Sequence, residues 1–201
     1  MSGKLFIISA PSGAGKTSIV ERLLTSISYC CNIGRVITYT SKSPRFNEKD
    51  GEHYFFITDD EFKKKIDKDF FMEWSDAYGC FYGSPCSILN EIECGRSYIL
   101  IIDRVGAEKI AARCKNAVLI WIYTKSLDIL KQRLEKRDTE TPKQIEHRLS
   151  CARFEIKQEL QHPLYKYHIL NDDFDRAVCK LERIIKRELF GEGFWLKGPI
   201  Q

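Results

Sequence analysis

The sequence lacks any apolar run long enough to cross a bilayer. Its longest, residues 98–102 and 117–123, fall far short of the ~20 residues that a spanning helix needs. Met1-Ser2-Gly3-Lys4 leads into only four apolar residues, Leu5 to Ile8, too few for a secretory core, so the expected location is the cytoplasm. Cys-x-x-Cys and His-x-x-x-His pairs are both missing, which removes the support for structural zinc. Eight cysteines in 201 residues are too sparse for a disulfide-stapled secreted domain, and reduced thiols are expected. Strong charge is lacking too. A formal net charge of +4 does not make the broad basic face of a nucleic-acid binder, but it suits a local cationic cleft for small polyanions. Neither a nucleic-acid nor a membrane partner is expected, and homo-oligomerisation is left open. Internal repeats and low-complexity tracts are absent.

What is present is an ordinary globular composition, 43% hydrophobic and 30% charged, at a length that suits one core with small insertions. Four apolar runs, at 5–9, 98–103, 117–123 and 167–171, read as buried parallel strands. Between and after them apolar residues recur at helical spacing: Ile19, Val20, Leu23, Leu24 and Ile27; Leu127, Leu130 and Leu134; Phe174, Ala177, Val178, Leu181, Ile184 and Ile185. The predicted class is α/β, a parallel sheet flanked by helices. Residues 33–85 differ, with short β-rich pieces at 35–40, 53–58 and 70–74, a turn at Lys49-Asp50-Gly51 and a charged helix near 59–68. They are taken as an inserted β-rich subdomain, bounded at 34–88. Within it, Lys63-Lys64-Lys65 reads as a solvated helix face. The polar stretch 136–144, with Pro142, is expected to be a mobile loop between two helices.

Ser9-Ala10-Pro11-Ser12-Gly13-Ala14-Gly15-Lys16-Thr17 joins the first apolar strand to an amphipathic helix, the setting a phosphate-binding P-loop requires. Glycines let backbone N–H groups turn toward phosphate oxygens, the helix N-terminus adds its dipole, and Lys16 adds a point charge. The Thr17 hydroxyl is a candidate ligand of Mg²⁺, partly through water. Ala10 stands where the strict pattern has glycine, so Gly13, Gly15, Lys16 and Thr17 carry the reading. The plain alternative is a Gly-rich strand-to-helix turn with no ligand.

The stretch from Thr38 through Lys42, Ser43-Pro44-Arg45-Phe46-Asn47-Glu48 and Lys49-Asp50-Gly51 to Tyr54 resembles the nucleoside-monophosphate segment of guanylate kinases. Phe71-Met72-Glu73-Trp74, Gly79-Cys80-Phe81-Tyr82-Gly83-Ser84, Ile101-Ile102-Asp103-Arg104-Val105-Gly106, the stretch 133–140, Arg148-Leu149 and Asn171-Asp172-Asp173 continue it in the family's order over nearly the whole chain. The resemblance implies Mg²⁺-dependent transfer of the ATP γ-phosphoryl group to GMP, with dGMP also a substrate, on a P-loop kinase core with a GMP-binding subdomain and a short lid. The implied division is core 1–33, GMP-binding 34–88, core 89–137, lid 138–148 and core 149–201. It also implies residue roles. Ala10 to Thr17 and Asn171 would bind ATP. Thr38, Lys42, Arg45, Glu48, Tyr54, Glu73, Tyr82, Ser84 and Asp103 would bind GMP. Lys16, Arg133, Arg137 and Arg148 would be catalytic.

Chemistry supports the two central assignments. A carboxylate at Glu73 can accept both N1–H and the exocyclic amine of guanine, a donor pair adenine does not present. Arginine forks grip a migrating phosphoryl group better than the point charge of lysine does. Each residue alone has a plainer reading, as surface charge or core aromatic, and it is their combined spacing that favours a site. Four positions depart from the family's usual residue: Lys42 for arginine, Asn47 for glycine, Ile101 for an acid and Val105 for glutamine. Two rival readings compete with it. A guanylate-kinase-like protein-binding module would have a degraded phosphate loop, and a related small-metabolite kinase would lack Glu73 and the segment from Arg45 to Tyr54.

Overall fold

The computed structural model describes residues 2–27, 30–77, 79–136 and 141–191. Five strands make a parallel sheet in the order β2-β7-β1-β8-β9. β1 (Leu5–Ser9) is central, flanked by β7 (Ser97–Ile101) and β8 (Val118–Tyr123), with β2 (Ile33–Arg35) and β9 (Tyr167–Leu170) at the edges. The inner strands read as unbroken apolar runs because helices cover both faces. Phe6 and Ile8 face one side, with the buried residues of α1 (Lys16–Ile27), α5 (Leu127–Glu135), α6 (Pro142–Gln161) and α7 (Phe174–Phe190). Leu5 and Ile7 face the other, toward α3 (Ser87–Glu93) and α4 (Arg104–Arg113). Period-two alternation thus divides one apolar run between two half-cores.

A second, four-stranded sheet has the order β4-β3-β6-β5. It joins β3 (Thr38–Thr40), β4 (Tyr54–Phe56), β5 (Phe71–Ala77) and β6 (Cys80–Pro85), and α2 (Asp59–Ile66) lies against it. The β piece expected at 35–40 is divided between the sheets: Val36, with its N–H on the Ile99 carbonyl at 2.9 Å, still belongs to the parallel core. The second core is aromatic. Phe62 stacks on Phe71 and Phe81 at 4.5 and 5.3 Å, and Tyr39 meets Phe55 and Phe70 at 4.7 and 5.2 Å. The lysine triple is not simply a solvated face. Lys65 Nζ lies 4.0 Å from the Phe70 ring centroid and 5.0 Å from that of Tyr39, so its cation closes over this aromatic cluster.

Two further expectations change. The loop expected at 136–144 is helical from Pro142 onward, because Thr141 is an N-cap. Its hydroxyl accepts from Gln144 N, the Gln144 side chain accepts from Thr141 N, and a proline in the first turn needs no donor. The strand expected at 98–103 stops at Ile101, and Asp103 instead caps α4. Among the described residues no helix is long and apolar enough to cross a membrane.

Candidate active site

Both sheets open onto one cleft. Its first wall is the loop from Ala10 to Thr17, between β1 and α1. Gly13 and Gly15 sit at φ 87° and 89°, the left-handed region that lets the chain curl around an anion. A Cβ on Gly15 would stand 2.7 Å from the Asn171 side-chain nitrogen, so close bracing demands glycine there as well. Lys16 Nζ donates to the Ala10 carbonyl at 2.5 Å, and the exposed Thr17 lines the same cleft.

The opposite wall comes from the inserted sheet and its loops: Thr38, Lys42, Arg45, Tyr54, Glu73, Ser75, Tyr82 and Gly83. Glu48 does not line the cleft but organises the two cations that do. Its carboxylate accepts from Lys42 Nζ at 2.6 Å and from the Arg45 backbone N–H at 2.9 Å. Burial acts to raise the Glu48 pKa, but these hydrogen bonds prevail and hold it low; burial also pulls Lys42 down, against the pull of Glu48. The Lys42 ammonium lies 4.7 Å from the centre of the Tyr54 ring.

Glu73 is the deepest charge on this side, 5% exposed. Its Oε1 accepts from the Ser84 hydroxyl at 2.6 Å, so Ser84 acts on the cleft through Glu73. Burial raises the Glu73 pKa to about 7, with the Asp103 carboxylate adding to the rise and Ser84 opposing it. Gly106, in the first turn of α4, brings backbone close behind: a Cβ there would lie 2.8 Å from Glu73 Oε2. Asp103 is fixed at both oxygens, accepting from Gly106 N at 2.7 Å and from the Ser75 hydroxyl at 3.1 Å. One carboxylate therefore ties the inserted sheet to the parallel core.

Arg148, on α6, reaches across between the walls. Its Nη1 donates to Ser12 Oγ at 2.9 Å, and its charge bears on both Lys42 and Tyr82. Arg133 is placed differently. It braces the phosphate loop from outside the cleft, with Nη1 on the Ala14 carbonyl at 3.5 Å and Nη2 on the Asn171 carbonyl at 3.2 Å. The Asn171 side chain joins the same brace, donating to the Ala14 carbonyl at 2.7 Å; the cap of α7 is Asp173. Arg137, together with residues 138–140 of the expected lid, lies outside the described residues.

Two polar lining residues, Ser75 and Glu155, were given no role in the sequence reading. Ser75 stands two residues after Glu73 on one strand, hence on one face. Glu155 stands seven after Arg148, two turns along one helical face. Burial pushes the Glu155 carboxyl up to about 7, with Lys16 opposing and Asp103 adding. Behind the cleft, Arg104 and Glu159 form a buried ion pair that joins the first residue of α4 to the last turns of α6.

Residues 2–188 match the sequence model of the family described as guanylate kinase. The chain belongs to the guanylate kinase family. A guanylate kinase of Nitrosospira multiformis is 42% identical over 189 residues, 92% of this chain and 86% of that protein. One from Maricaulis maris is 40% identical over 188 residues, 92% and 84% of the two chains. The crystal structure of guanylate kinase from Anaplasma phagocytophilum superposes with a TM-score of 0.75 at 26% identity, covering 94% of this chain and 87% of that one. Membership makes the chain an enzyme, a kinase, and guanylate kinase activity is what its sequence and fold support. The P-loop kinase fold expected from the sequence is the fold observed.

Proposed function

We propose that this guanylate kinase transfers the γ-phosphoryl group of ATP directly to the phosphate of GMP within the single cleft between its two sheets. One observation carries the reading: a phosphate loop faces a cationic and carboxylate-bearing wall across one cavity, with Arg148 between them. The ATP phosphates take the loop from Ala10 to Thr17, where backbone N–H groups and Lys16 neutralise charge. The GMP phosphate takes Lys42, Arg45, Tyr54 and Tyr82, with Glu48 holding the two cations in place. Glu73 and Asp103, oriented by Ser84, Ser75 and the α4 N-terminus, accept the donor edge of guanine beside Thr38. Arg148 meets the migrating group, while Arg133 and Asn171 keep the loop in shape. Arg137, beside the lid, is assigned a catalytic role by resemblance alone.

No side chain need act as a base, because the attacking phosphate oxygen is already largely ionised at neutral pH; positioning and charge neutralisation carry the rate. The donor set suits Mg²⁺, a hard cation that takes few protein oxygens and keeps its waters: the Thr17 hydroxyl opens onto a cleft that also presents the Asp103 and Glu155 carboxylates. When bound, it would offset charge on the bridging phosphate oxygens. The eight free cysteines agree with a cytoplasmic, reducing setting.

The test is ADP formation from ATP and Mg²⁺ with GMP, dGMP, AMP, CMP or UMP offered in turn. GMP and dGMP are the expected acceptors, and a preference for AMP would overturn the role of Glu73.

A further inference from the structure

Cys30 and Cys31 are adjacent in the chain, just beyond the end of α1, and their sulfurs stand 3.5 Å apart. All eight cysteines are free, and among the described residues no other two sulfurs are in contact. Both backbone N–H groups bond the Ile27 carbonyl, at 3.1 and 2.9 Å, so the last turn of the helix holds the pair with its sulfurs on one side. Cys30 is exposed and Cys31 is buried.

Two chemistries compete for such a pair. A disulfide prefers Cα atoms about 4.4–6.8 Å apart. Neighbouring residues across a trans peptide are held at about 3.8 Å, so a bond between them must distort the backbone. Chelation needs no such change. Two sulfurs on one pyramidal trivalent centre, with bonds of about 2.3 Å, as for zinc–thiolate, but angles of about 100°, stand roughly 3.5 Å apart. The observed separation is already close to that span.

We propose that Cys30 and Cys31 form a dithiol site for a thiophilic trivalent centre of the arsenous-acid or organoarsenical class. Zinc fits poorly, since it takes four ligands and no group of three or more His, Cys, Asp or Glu gathers here or elsewhere among the described residues. Condensation also needs no prior thiolate. With an arsine oxide, two As–S bonds form, the As–O bond breaks, and both S–H protons leave with that oxygen as one water; arsenic stays trivalent and nothing is oxidised. This matters because burial and the neighbouring Cys30 push the Cys31 thiol up to about 12, keeping it protonated. The site sits at the opposite end of α1 from Lys16 and Thr17, roughly 18 Å away along a twelve-residue helix, so occupancy leaves the nucleotide cleft intact.

The experiment treats the full-length folded protein with one equivalent of phenylarsine oxide, followed by intact mass and peptide mapping. One adduct per chain is expected, bridging residues 30 and 31, stable to excess glutathione and removed by 2,3-dimercaptopropanol, with turnover unchanged. Cys30→Ser, at the exposed position, is expected to weaken retention by about 10²-fold through loss of the second attachment. Cys31→Ser should do the same, and if that buried variant does not fold, the exposed one decides alone. An adduct undiminished in Cys30→Ser, one mapped to other cysteines, or none at all would overturn the proposal. So would preferential formation of a Cys30–Cys31 disulfide under glutathione disulfide.

Discussion

The two ends of the cleft are built on different principles. At the phosphate-loop end the working groups are mostly backbone, presented by a loop between a fully buried strand and a helix whose inner face is aliphatic. At the end proposed for guanine they are side chains, mounted on short strands over an aromatic cluster and propped by one another: Ser84 on Glu73, Ser75 on Asp103, Glu48 on Lys42. Backbone N–H groups recognise a phosphate whatever carries it, and their geometry comes with the fold. Choosing one purine requires buried carboxylates, and their desolvation has a cost visible in the raised Glu73 pKa. The proposed function thus separates generic from selective binding in space, and substitutions should separate them in kinetics.

The largest effect is expected at the generic end. Lys16→Ala should lower kcat by about 10³-fold or more, because the lost charge serves the transferring group. Its melting temperature should stay within a few degrees of the parent. Activity retained within tenfold would break the comparison at its first end. Next comes Glu73→Gln, which should raise the KM for GMP by about 10²-fold at pH 8, as expected for loss of a charged hydrogen-bond acceptor. The KM for ATP should hardly move. Equal changes in both constants would mean that the two ends are not independent.

A third test uses acidity. With a Glu73 pKa of about 7, the ionised fraction rises roughly tenfold between pH 6 and pH 8. The KM for GMP should fall by a similar factor over that range, and Glu73→Gln should flatten the part that does not come from the GMP phosphate itself. Stability has the opposite sign. Between pH 4.5 and 7 the folded protein holds a proton at Glu73 that the unfolded chain has released, so this contribution declines as pH rises and levels off above 7. Denaturation at pH 5 and pH 8 should show the Gln variant gaining relative to the parent at the higher value. The smallest effect is expected for Lys42→Arg. A guanidinium could keep its bond to Glu48 and offer a second N–H to phosphate, lowering the KM for GMP about threefold. An unchanged constant would remove Lys42 from the phosphate contacts.

The same asymmetry governed what could be read in advance. The phosphate loop is contiguous, so its residues and flanking elements were legible as a string. Glu73 was legible only through the spacing of several motifs. Ser75 and Glu155 were not seen, although each shares a face with a residue that was, because a serine or a glutamate at such spacing is common on ordinary surfaces. Arg133 and Asn171 were recognised, but their brace on the Ala14 carbonyl depends on how α5 and β9 meet the loop, a contact between segments remote in sequence. Pro142 misled, since it reads as a loop residue until Thr141 and Gln144 are recognised as a capping pair.

Asp103 and Arg104 are consecutive, yet they hold different parts of the molecule: Asp103 accepts from Ser75 on the inserted sheet, and Arg104 pairs with Glu159 on the helix that also carries Arg148. The start of α4 is therefore moored on two sides at once, to the inserted sheet through Ser75 and to α6 through Glu159, so both share one anchorage.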